Sequence, residues 1–153
     1  MISRRDWLRA SVASAAGLLV ARERLLAAPA LPVVTVYKDP GCECCGKWVK
    51  HLSANGFVTT LQNTSNVDEV KRTMHVPTAL QSCHTAVVGA YVVEGHVPAD
   101  LIKKMLREKP AIVGLAAPGM PNGAPGMETG AKPDKYDIIA WERSGKTHVY
   151  ASR

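Results

Sequence analysis

Three of the four cysteines in this 153-residue chain, Cys42, Cys44 and Cys45, fall within four consecutive positions, and the fourth is Cys83. Thiolate is the nucleophilic and metal-binding form of cysteine, and it is favoured where backbone N–H groups and the positive end of a helix dipole converge. The cluster has that setting, with Lys38 and Lys47 close in sequence. It follows a β-branched run, Val33 to Tyr37, and a turn, Lys38-Asp39-Pro40-Gly41, and it opens a helical stretch from about Cys42 to Asn55. Cys42 and Cys45 by themselves form C-x-x-C, the spacing of a thiol–disulfide redox pair. Cys44 complicates that reading. A third thiol in the same turn would scramble a two-thiol pair, yet it suits a soft metal such as copper(I), zinc or an iron–sulfur cluster. A purely structural pair of disulfides is the bland alternative, since exported proteins meet an oxidising compartment. Two bridges cannot both be comfortable: Cys44–Cys45 or Cys42–Cys44 closes a strained ring, and only Cys42–Cys45 is easy, which leaves Cys44–Cys83.

Other donors are weaker. His84 follows Cys83, and in a regular strand the two would point to opposite faces. Both can serve one metal only if the strand begins after them; a surface or capping role for His84 is the competing reading. Met120 and Met127 lie in an uncharged Gly/Pro loop, where a thioether could cap copper(I) or simply fill a packing gap. Met74 and Met105 fall in helical patterns and read as core. His51 reads as a solvated helix residue, about two turns beyond Cys44. His75, His96 and His148 have no informative spacing.

The elements that position these residues alternate. Phe57 to Gln62 reads as a second strand. Asn66 caps a short helix, Val67 to Met74, which Pro77 ends. Thr85–Val88 and Tyr91–Val93 read as a hairpin through Gly89-Ala90, and Pro98 opens a helix to about Lys109 with Leu101, Ile102, Met105 and Leu106 inward. From Ala111 to Met127 there is no charge, and four Gly and three Pro argue against any regular element. A second hairpin, Asp137–Trp141 with Thr147–Ala151, closes the chain. The order β-α-β-α-β-β-α to residue 109 is the thioredoxin order. The expectation is one α/β, thioredoxin-like domain over 31–109, with residues 110–153 as an extension packed on it and ending in a β-hairpin. In that order the start of the third strand faces the N-terminus of the first helix, which would bring Cys83 to the other three cysteines.

Residues 1–30 read as an export signal of the twin-arginine type. Arg4-Arg5-Asp6-Trp7-Leu8-Arg9 is followed by an apolar stretch, Ala10 to Ala21, too short to span a bilayer, which needs about 20 apolar residues. An Ala28-Pro29-Ala30 cut site comes next. Half of the net charge of +6 lies in this segment, and the mature part, with 14 basic and 11 acidic residues, has no cationic run, which argues against nucleic-acid binding. With 46% hydrophobic residues and mean hydropathy near zero, the chain is not disordered along its length.

Four blocks together resemble the CopG-like copper-resistance proteins: Tyr37-Lys38-Asp39-Pro40-Gly41-Cys42-Glu43-Cys44-Cys45-Gly46-Lys47-Trp48; Ser82-Cys83-His84-Thr85-Ala86-Val87-Val88-Gly89; Glu94-Gly95-His96-Val97-Pro98; and Val113-Gly114-Leu115-Ala116 through Pro118-Gly119-Met120-Pro121. The resemblance runs from Val33 to the end, and its C-x-C-C block is specific. It implies a thioredoxin-like domain whose C-terminal extension adds to metal binding, a periplasmic location, and a cluster of more than one copper ion bridged by cysteine sulfur. Cys42, Cys44, Cys45 and Cys83 would be the bridging thiolates, with Met120 a secondary ligand by its position in the extension; His84 is a further candidate ligand only on the local reading above. The resemblance also implies interconversion of Cu(I) and Cu(II) in copper resistance. Members often carry Gly where this chain has Glu43, a change of cluster charge or solvation that removes no ligand.

The partners expected are copper ions and a periplasmic copper efflux system, with no membrane contact once the signal is gone and a monomeric state. The alternatives are a metal-free thiol–disulfide oxidoreductase using Cys42 and Cys45, a non-catalytic copper store or chaperone, and an iron–sulfur protein on the same cysteines.

Overall fold

A computed structural model of the chain describes residues 30–153. The expected export signal, apart from Ala30, lies outside the described residues. Strand β1 (Val34–Lys38) alternates buried and half-buried side chains, as its β-branched run requires. It leads into helix α1 (Glu43–Ala54), which buries Cys45, Trp48 and Leu52 along one stripe. Strand β2 (Thr59–Asn63) begins two residues later than the sequence pattern suggested, because Phe57 turns into the core before the strand starts. Helix α2 (Val67–Thr73) is capped by Asn66, whose side chain accepts from Glu69 N–H at 3.4 Å. After a single 3-10 turn, Thr78–Leu80, come β3 (His84–Val88) and β4 (Tyr91–Glu94), then helix α3 (Ala99–Glu108), β5 (Gly114–Ala116), β6 (Asp137–Trp141) and β7 (Thr147–Ser152).

All seven strands share one sheet in the order β2-β1-β3-β4-β5-β6-β7. The β1–β2 and β4–β5 pairs are parallel and are crossed over by α1 and α3; the other pairs are antiparallel. Adjacent residues feed opposite faces of the sheet. Val93, Leu115, Ile138 and Ala140 join α1 and α3 in the main core, while Val92, Ala116, Ile139 and Trp141 pack with Val76 and Leu80 on the other side. The molecule is thus a mixed α/β domain with three α-helices among the described residues.

The uncharged segment after α3 departs from expectation. It holds β5, which joins the first four strands to the β6–β7 pair, so residues 110–153 continue the sheet. Gly114 is a contact requirement there and not a breaker. A Cβ at this position would overlap the Val92 carbonyl oxygen and come within 2.5 Å of Trp141 Cη2.

Candidate metal centre

The loop before α1 is tied down locally. Asp39 accepts from Gly41 N–H at 2.8 Å through its side chain and from Cys42 N–H at 3.0 Å through its carbonyl. Lys38, nearly buried, spends its ammonium on the Asp39 and Pro40 carbonyls at 2.7 and 3.3 Å. Its contribution is therefore to the loop, where the sequence had suggested help for the thiolates. Cys42 occupies the N-cap of α1 without a side-chain capping bond.

Cys42 and Cys45 are joined as a disulfide, with their Cα atoms 5.4 Å apart, while Cys44 and Cys83 are unbridged. Cys44 Sγ lies 3.6 Å from Cys42 Sγ and 3.9 Å from Cys83 Sγ, and all four sulfurs fall within 4.8 Å of one another. The β1–β3 pairing brings this about. Lys38 pairs with His84, so the end of β1, which feeds α1, lies beside the start of β3. Burial and the neighbouring Cys44 push the Cys83 thiol up to about 12, so a metal would have to displace a firmly held proton.

The histidines divide differently from what spacing suggested. His84 is fully buried, neither surface nor cap. Cys83 lies just outside β3, so strand alternation does not separate the two, and His84 Nδ1 sits 3.3 Å from Cys83 Sγ. Its ring packs on Trp48 at 4.4 Å between centroids, and burial holds it well below the ordinary histidine range. His96 had no assignment, yet it is fully buried with Nε2 3.1 Å from Cys83 Sγ. A signal for it was present. The hairpin pairs Thr85 with Glu94, and extending that register by two residues sets Cys83 opposite His96. His51, read as solvated, is half-buried, and its Nε2 accepts from Ala99 N–H at 3.1 Å, capping α3. His75 and His148 are exposed.

The segment between β5 and β6 crosses this site. Ser82 Oγ donates to the Gly119 carbonyl, and His96 Nδ1 donates to the Pro125 carbonyl at 2.8 Å. Gly126 presses on α1 so closely that a Cβ would come within 2.8 Å of Trp48 N and 3.0 Å of Cys44 O. Met120 follows the Gly119 anchor and is 58% exposed; Met127 is half-buried. Beneath the site, Glu94 is held by Lys71 Nζ, Thr85 Oγ1 and Ser82 N–H, each at 2.6 Å from a carboxylate oxygen. This buried network anchors the residue next to Cys83, and sequence reading missed it.

The sulfur set can bind a soft metal when reduced, and it can exchange two electrons through Cys42 and Cys45. Comparison with known proteins agrees in class. A family described as "Protein of unknown function, DUF411" matches residues 80–127. No match was found among curated proteins. Two solved structures, described as copper resistance protein CopG form 1 and form 2, are each 45% identical, with TM-score 0.76 over 80% of this chain and 98% of theirs. A mixed α/β domain with a C-x-C-C cluster able to bind metal is the class these features define. The chain belongs to the CopG copper-resistance family.

Proposed function

We propose that the mature chain is a periplasmic copper-resistance protein that holds Cu(I), more than one ion, on the thiolates of Cys42, Cys44, Cys45 and Cys83, and interconverts Cu(I) and Cu(II). The observation that carries this is the convergence of four sulfurs from two distant segments within 4.8 Å. Soft thiolates select Cu(I) over hard cations. The similarity to copper-resistance CopG supports copper as the ion. The Cys42 and Cys45 thiolates can form one S–S bond and release two electrons, which reduce two Cu(II) to two Cu(I); Cys44 and Cys83 then remain as the free thiolates, and an external thiol that reduces the bond restores all four. The reverse step cleaves the bond and oxidises two Cu(I). The strand order β2-β1-β3-β4, with α1 and α2 between, supports a thioredoxin-like domain over 31–109 extended by 110–153. No helix among the described residues is long and apolar enough to cross a membrane. Residues 1–30 then act as the export signal, and a copper efflux system is the partner.

The Cys42–Cys45 disulfide favours a second reading, a metal-free thiol–disulfide oxidoreductase. One substitution separates them. Under the copper reading, Cys44→Ser abolishes Cu(I) uptake by the reduced protein, measured anaerobically against a chromophoric chelator. If wild type takes up no Cu(I), while Cys44→Ser still reduces insulin disulfides, the second reading replaces the first.

A further inference from the structure

A cavity of about 390 Å³ lies on the face of the sheet away from α1 and α3. His75 and Pro77, just past α2, form one side of it, with Val113 and Trp141 behind. Glu142 and Arg143, in the turn from β6 to β7, form the other side. The volume is within the range of about 300–1,000 Å³ in which small-molecule sites fall. The sulfur cluster belongs to the opposite face, at the start of α1, and shares no residue with this cavity.

Trp141 is the unusual residue of the set. It is 1% exposed, and its Nε1 has no hydrogen-bond partner among the described residues. The other indole of the core is bonded, since Trp48 Nε1 donates to the Val97 carbonyl at 2.9 Å. A buried indole N–H normally finds an acceptor, and the Val76, Leu80 and Ala116 side chains packed with Trp141 offer none. An orphan donor in a cavity wall is explained by an acceptor that enters the cavity. The rim supplies charge as well. Arg143 is exposed and makes no salt bridge among the described residues, while Glu142 accepts from Ser144 Oγ at 3.3 Å within the turn. His75 ends α2 with φ at +55°, where Gly or Asn is usual, so the helix end by itself does not call for an imidazole.

We propose that this cavity binds a small monocarboxylate with an apolar body. The carboxylate takes the Trp141 N–H and the Arg143 guanidinium, and the body lies against Pro77, Val113 and the indole. A carboxylate accepts from both donor types and pairs with the guanidinium charge. Glu142 on the same rim disfavours a second negative charge, which selects against dicarboxylates and phosphate esters. Binding here is independent of copper, because the two sites have no ligand in common.

The test uses phenylacetate as probe and the indole N–H resonances of the ¹⁵N-labelled full chain as readout. The Trp141 signal is assigned through the contact of its ring with Gly114. Phenylacetate moves that signal downfield and saturably, with Kd below about 1 mM, while the Trp48 signal, already bonded to Val97, stays in place. Arg143→Gln, an exposed change, weakens binding about two- to fivefold. Acetate lacks the apolar body and phenylacetamide lacks the charge, and each binds at least about tenfold more weakly. A Trp141 signal unmoved by phenylacetate up to about 10 mM overturns the proposal. Equal binding of phenylacetamide, or full affinity in Arg143→Gln, also overturns it, because no anion is then selected. Equal movement of the Trp48 signal does so too, by showing that the effect is not confined to the cavity.

Discussion

Replacing Lys71 by Met is expected to cost more stability than any surface change in this domain, and the loss should depend on pH in a defined direction. Lys71 and Glu94 are 3% and 0% exposed and meet at 2.6 Å. Water therefore screens little of their interaction, and removing one partner of such a pair costs about 3–5 kcal/mol because the other charge stays buried. For a domain of this size that is a fall in Tm of roughly 10–20 °C at pH 7. Burial already holds the Glu94 carboxyl above its ordinary value, with Lys71 opposing the rise. Without Lys71 it climbs further. A carboxyl with a raised folded pKa keeps its stability at low pH and loses it as pH rises through that pKa. The deficit of Lys71→Met relative to wild type must therefore shrink between pH 7 and pH 5. Titratable groups common to both proteins cancel in that difference. Adding Glu94→Gln should recover most of the loss, because a neutral amide can still accept from Ser82 N–H. Thermal and urea unfolding at the two pH values measure all of this. A deficit below about 1 kcal/mol, or one unchanged by acidification, would refute the idea that Glu94 carries a buried charge stabilised by Lys71.

Gly126→Ala puts a Cβ against the α1 backbone at a φ of +86°, so strain and overlap together should cost about 2–4 kcal/mol. The segment should lift from α1, and thiol-labelling of Cys44 and Cys83 should accelerate; unchanged labelling would show that it does not cover the sulfurs. His51→Ala removes the acceptor of Ala99 N–H and should cost about 0.5–2 kcal/mol at pH 7.5. Burial lowers the His51 pKa, so its stabilising effect is full above the unfolded value near 6.5 and is lost as pH falls through the folded one. Wild type and variant should converge in unfolding free energy on acidification.

Much of the fold is legible in the sequence because its signals are local. The β-branched run before the Asp39-Pro40-Gly41 turn places β1 and the start of α1 within a residue of where they stand, and Pro98 does the same for α3. What resists reading depends on partners distant in the chain. The run Gly114-Leu115-Ala116 carries a glycine and is three residues long. It becomes a strand because β4 and β6 offer it hydrogen bonds on both sides. Glycine is disfavoured in strands by propensity, yet here the approach of Val92 and Trp141 allows no other residue. Lys71 is likewise invisible as a buried residue. Its helix looks solvated, and its partner Glu94 is two strands further along the chain.

The candidate metal centre shows the same division in sharper form. Three cysteines in one turn announce sulfur chemistry by themselves, but Cys83, His84 and His96 are joined to it only through pairing. The β1–β3 register carries Cys83 across to α1, and the β3–β4 register carries His96 across to Cys83. The two-residue turn at Gly89-Ala90 fixes the second register. A one-residue slip would move His96 to the opposite face and leave Cys83 beside a different residue. The residue between β4 and α3 that points at Cys83 is thus chosen by a turn seven residues away, at the far end of the hairpin. Changing the length of that turn by one residue should therefore separate His96 from Cys83 while leaving every cysteine of α1 where it is.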